Sequence, residues 1–119
     1  MPDATPQARP EARIVLTTAD NPKEAAHLAR TLVEERLAAC ASLIPGVQSI
    51  YQWQGKVETG TETLLLLKTA EDRIPALQAR LLELHTYQTP EFLVLPVESG
   101  SPAYLDWLFA SLRQPPPQP

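Results

Sequence analysis

The segment TETLLLLKT at 61–69 places Leu64 and Leu66 on one side of an extended chain and Leu65 and Leu67 on the other. A strand apolar on both faces needs cover on both faces. The preceding segment VQSIYQWQ at 47–54 makes a similar demand, with Val47, Ser49, Tyr51 and Trp53 pointing one way and Gln48, Ile50 and Gln52 the other. GKVETG at 55–60 supplies a reversal between them, so the two long strands are expected to pair as a hairpin. The chain has few residues with which to cover such a hairpin twice. Of its 119 residues, the ends MPDATPQARP and QPPPQP are proline-rich and almost without apolar side chains, which favours extended backbone and contributes little core. The sequence therefore divides into a tail at 1–12, one domain at 13–114, and a proline-rich tail at 115–119.

Within that domain, RIVLTT at 13–18 reads as a first strand stopped by Asp20-Asn21-Pro22. Asn21 is placed to cap a helix from Pro22 to about Ala39, with Glu24 as its capping-box partner. Ala25, Leu28 and Leu32 form its apolar stripe, and Lys23, His27, Arg30 and Glu34 its polar face. Ser42–Ile44 opens a second strand that bends at Pro45-Gly46 before the hairpin. Ile74, Leu77, Leu81 and Leu84 mark a second helix ending at His85, with Pro75 in its first turn and Asp72 as the expected cap. Phe92–Val97 is a further strand, which Pro96 assigns to an edge. Ser101-Pro102 opens a last helix carrying Tyr104, Leu105, Leu108 and Leu112, with Trp107 beside the stripe. The order β-α-β-β-α-β followed by a helix predicts an α+β, ferredoxin-like sandwich with two helices on one sheet face. A second copy is the simplest cover for the other face, in a closed ring or a two-fold pair.

A formal net charge of −4 and the absence of a basic cluster argue against nucleic acid as a partner. With neither a long apolar run nor a basic-then-apolar start, the expectation is a cytoplasmic protein that does not engage a membrane. A lone cysteine makes no internal disulfide, so Cys40 is a buried small hydrophobe, a thiol ligand shared between chains, or a reactive thiol. His85 stands where a helix dipole favours it, yet HTYQTPE also brings Tyr87 and Glu91 close to it. Glu62 and Lys68 lie on one face of the leucine strand, either as solubilising charges at its ends or as parts of one pocket. Trp53 and Tyr51 suit interface anchors or ligand stackers. No nucleophile with its base and no glycine-rich phosphate loop stands out, so no catalysis is expected.

ERLAAC at 35–40, SLIPGV at 42–47, YQWQGKVE at 51–58, LLLLKT at 64–69, HTYQTPE at 85–91 and YLDWL at 104–108 together resemble the CutA family of divalent-cation tolerance proteins. The resemblance spans almost all of residues 14–112. It implies a ferredoxin-like subunit forming a homotrimer through its hairpin strands, similar in assembly to the PII signalling proteins, cytoplasmic, and tied to tolerance of copper and other divalent metals without a tightly bound cofactor. Carried onto this chain, it implies Cys40 as a thiol ligand and His85 as a second metal ligand. Glu62, Lys68, Tyr87 and Glu91 then match cleft positions between subunits, with Trp53 and Trp107 as aromatic framework. Thr86 stands where the family loop usually has proline. The alternative is a PII-like sensor or scaffold whose cleft takes a small anion through Lys68, or a protein partner.

Overall fold

The computed structural model describes residues 11–113. Its elements are β1 (Ala12–Ala19), α1 (Pro22–Glu34), β2 (Cys40–Trp53), β3 (Lys56–Ala70), a 3-10 turn (Glu71–Arg73), α2 (Ile74–Leu84), β4 (Leu93–Pro96) and α3 (Pro102–Ser111). The sheet is antiparallel throughout, in the order β2-β3-β1-β4. The ferredoxin-like expectation holds, and Pro96 sits on an edge strand as its missing N–H requires. The expected tails lie outside the described residues except for Glu11 and Ala12, and Ala12 already pairs with Ala70 in the sheet.

α1 starts with the expected cap, Asn21 accepting the Glu24 N–H at 2.9 Å with Pro22 in the first turn, but the Glu24 carboxylate expected to complete a capping box accepts from Thr86 instead. It ends at Glu34, short of the expected Ala39. Arg36 takes the left-handed conformation (φ 58°), its N–H donates to Val33 O, and the Leu37 N–H reaches back to Leu32 O. That is a Schellman closure with arginine where glycine is usual. The Arg36 guanidinium donates to Ser111 O at 2.8 Å, a bond formed across the fold. The Ala39 N–H then joins Lys68 O, and β2 begins at Cys40.

The hairpin is longer than expected. Gln54 (φ 51°) and Gly55 (φ 79°) form a two-residue reversal between paired Trp53 and Lys56, so 56–60 is strand and not turn. Positive φ at both central residues is the type I′ pattern, whose twist matches that of the flanking strands. The Pro45-Gly46 bend is a bulge: Ile44 pairs with Leu64 and Val47 with Glu62. The extra residue keeps Ile44 and Val47 on one face despite their odd spacing.

The sheet has two unequal faces. Val15, Leu65 and Leu67 pack beneath Ala25, Leu28 and Leu32 of α1 and Leu77 and Leu81 of α2. α2 follows the 3-10 turn directly with Pro75 in its first turn; Arg73 occupies the cap position without a side-chain capping bond, so Asp72 is not the cap. On the opposite face, Leu108 of α3 and Leu112 just beyond its end bury Ala39 and Ala70. The chain thus provides a partial second layer, where the sequence suggested too few residues to make one. Beyond it Leu64 and Leu66 are half-buried, and Ile50, Tyr51, Trp53 and Val57 of the hairpin are exposed.

Candidate functional site

Strand register assembles the site. Leu64 faces away from α1 and α2, and its β1 partner is Thr18; Glu62, two residues earlier in β3, therefore shares that face. Val47 pairs with Glu62 and Ser49 with Gly60, which brings Ser49 to the same place from β2. The loop after α2 crosses to this face and supplies Tyr87, whose phenol donates to Glu62 Oε2 at 2.6 Å. The resulting groove, about 780 Å³, is lined by Thr18, Asp20, Ser49, Tyr51, Trp53, Glu62, Tyr87 and Glu91 among others. Five of the residues singled out from sequence, Tyr51, Trp53, Glu62, Tyr87 and Glu91, therefore meet.

The groove is polar and acidic at its base. Burial alone would push the Glu62 carboxyl up, but hydrogen bonds from Ser49, Tyr87 and Thr18 outweigh it and hold the group below its ordinary value. Burial and the neighbouring Glu62 carboxylate push the Tyr87 phenol well above the usual tyrosine range, so it remains a donor at neutral pH. Thr18, Ser49 and Asp20 were not singled out from sequence. Only the position of Ser49 on the Tyr51 and Trp53 side of β2 pointed towards it.

His85 stands behind this wall. Its Nε2 lies 2.7 Å from Thr18 O, its Nδ1 accepts the Tyr87 N–H at 3.1 Å, and its ring lies 4.6 Å from the Tyr87 ring. A metal ion at either nitrogen would have to displace one of these bonds.

Cys40, Lys68 and Trp107 form a second group at the α3 end of the same face. Lys68 donates to Ser42 Oγ at 3.2 Å, and Cys40 Sγ lies 3.6 Å from Tyr104 Oη. Tyr104 in turn packs against Trp107 with ring centroids 5.5 Å apart. The contact with Cys40, aided by burial, raises the Tyr104 phenol above its ordinary value. Glu62 and Lys68 are six strand positions apart, about 20 Å at 3.3 Å per residue. Within one chain the residues expected in a single cleft are thus divided between two places. Cys40 and His85 are divided in the same way: Cys40 pairs with Lys68, and His85 is tied to the partner of Leu64. Among the described residues, no three His, Cys, Asp or Glu side chains gather as a metal-ligand set.

Comparison with known proteins agrees with this architecture. Residues 13–111 match the family described as CutA1 divalent ion tolerance protein. The chain is 50% identical over 104 residues to the divalent-cation tolerance protein CutA of Citrobacter koseri, covering 87% of this chain and 90% of that one. The divalent cation tolerance protein (Cut A1) of Thermus thermophilus has a similar solved structure, with a TM-score of 0.82 at 45% identity over 84% of this chain and 97% of that one. CutA1 from Oryza sativa gives a TM-score of 0.85 at 38% identity, over 88% and 96% of the two chains. The matched span includes both halves of the divided site and every element of the sheet, and the chain belongs to the CutA1 family of divalent ion tolerance proteins.

Proposed function

We propose that this protein serves divalent-cation tolerance as a cytoplasmic, non-catalytic homotrimer that holds copper or another divalent metal in a cleft between subunits, without a tightly bound cofactor. The observation that carries this reading is the exposed outer surface of the hairpin bounding the groove. Ile50 (65% exposed) and Val57 (66%) lie on one face of the hairpin, and the exposed Tyr51 and Trp53 on the other. A projecting hairpin with large apolar side chains exposed on both faces marks an association surface. Rotational closure of three copies would cover it and let donors from different chains meet. The donor chemistry is mixed: the Cys40 thiol suits soft ions such as Cu(I), while the carboxylates of Glu62 and Glu91 suit harder ones.

The anion-sensing alternative is less well supported. Lys68 already donates to Ser42, and the charged residues lining the groove, Asp20, Glu62 and Glu91, are all acidic. Light scattering on the purified protein tests assembly, with a trimer expected and a stable monomer overturning that part of the proposal. Titration of the chelated protein with Cu(I), Cu(II) and Zn(II), beside Cys40→Ala and His85→Ala, tests metal binding. Saturable binding weakened by either substitution is expected. Affinity weaker than about millimolar, or unchanged in both variants, would overturn it.

A further inference from the structure

The bonding around His85 sets its tautomer. Thr18 O can only accept, so Nε2 carries the hydrogen; Tyr87 N can only donate, so Nδ1 is bare. One ring therefore ties the loop to β1 through Nε2 and holds the Tyr87 backbone through Nδ1. The next two side chains continue the anchoring. Thr86 Oγ1 donates to Glu24 Oε2 of α1 at 3.4 Å, and the Tyr87 phenol reaches Glu62 of β3. Three successive residues thus bind the loop to three different elements.

We infer that His85 is a positioning residue and not a metal ligand: its imidazole, bridging Thr18 O and the Tyr87 N–H, fixes the point from which the Tyr87 phenol engages the Glu62 carboxylate. The functional importance of this arrangement rests on reading the groove as the metal site; the bonding assignment does not. With the phenol in place, one lone pair of Oε2 is occupied and the carboxylate is held in a single orientation. Without it, Glu62 keeps the Thr18 and Ser49 hydroxyls but loses the contact that closes the groove on the loop side. An ion bound in the groove would meet a carboxylate oriented through His85, two contacts away.

The geometry of the ring allows its two bonds to be separated. Asparagine places Oδ1 near the Nδ1 position and can accept the Tyr87 N–H, but is too short to reach Thr18 O. Glutamine can donate to Thr18 O but does not reproduce the acceptor. Alanine does neither.

The experiment combines nitrogen-15 NMR of the metal-free wild-type protein with amide hydrogen exchange and metal titration of H85N, H85Q and H85A. Expected are a protonated Nε2 and a bare Nδ1 on His85, and a Tyr87 amide that exchanges about tenfold faster in H85A and H85Q than in wild type or H85N, the effect of losing one hydrogen bond of ordinary net strength. Metal affinity should fall in H85A and recover to within about twofold of wild type in H85N, because the acceptor and not the imidazole is what matters. A proton on Nδ1, an unchanged Tyr87 exchange rate in H85A, or a His85 nitrogen resonance displaced by direct metal coordination would overturn the inference. If no metal binds to any form, the proposed function fails while the tautomer and the exchange pattern still decide the role of His85. The wild-type spectrum alone decides the tautomer if a variant does not fold.

Discussion

Tyr87→Phe removes one oxygen and leaves the ring that packs on His85, so it isolates the 2.6 Å bond from the phenol to Glu62. A hydrogen bond to a charged group contributes about 1.5–3 kcal/mol net. Both partners here are half-buried, and discounting for water that replaces the phenol leaves about 1 kcal/mol. The pH dependence follows from two displaced groups. Glu62 is held below its ordinary value, so its ionised form contributes stability that is complete above the unfolded carboxyl value of about 4.3 and is lost as pH falls through the lower folded value. Tyr87 is displaced upward, so its contribution is complete below the unfolded phenol value of about 10 and is lost as pH rises through the higher folded value. Removing the phenol moves Glu62 back up and deletes the Tyr87 contribution. The penalty of the substitution should therefore be flat between about pH 5 and 9 and shrink on the acidic side as Glu62 protonates. Urea denaturation of wild type and Tyr87→Phe, metal-free and at one protein concentration, at pH 7 and pH 3, measures this. A penalty equal at both pH values, or larger at pH 3, would refute the assignment of that bond to an ionised Glu62.

Three further substitutions test the frame around the site. Arg36→Ala and Arg36→Gly both lose the bond to Ser111, but alanine keeps the Cβ penalty of the left-handed backbone and glycine relieves it, so denaturation should find the alanine variant less stable than the glycine variant by about 1 kcal/mol; equal stability would contradict the αL closure of α1. Leu65→Ala empties a fully buried position beneath the helices and should cost about 2–5 kcal/mol, with Leu64→Ala on the half-buried face costing less; the reverse order would mean the two faces are wrongly assigned. Ile50→Lys charges a side chain that one chain leaves exposed, so circular dichroism should retain native secondary structure while light scattering reports a smaller assembly, and an unchanged mass would remove the hairpin from the interface.

Much of the site was legible because its chemistry is concentrated in short segments. HTYQTPE carries His85, Tyr87 and Glu91 together, and the leucine strand carries Glu62 and Lys68 as the charges of one face. Thr18 and Ser49 were not legible, since each is an ordinary polar residue in a strand. They become partners of Glu62 only because β1 and β2 flank β3 in a particular register, and the bulge at Pro45-Gly46 sets the phase of β2. The separation of Cys40 from His85 was hidden for the same reason, as both are polar candidates in sequence and only strand pairing measures the span between them.

The sequence by itself determined the order of elements, the Asn21 cap, the bend at Pro45-Gly46 and the edge position of β4, because each depends on side-chain periodicity or on the backbone limits of Asn, Gly and Pro acting within a few residues. Tertiary structure decided where α1 stops, since Arg36 sits in a strained conformation beside a hydrogen-bond acceptor 75 residues away. It also decided which leucines of β3 face the helices and which residues share the groove. Alternation along a strand defines two faces but does not say what will cover either one, and that choice is made by helices and neighbouring strands packing from elsewhere in the chain.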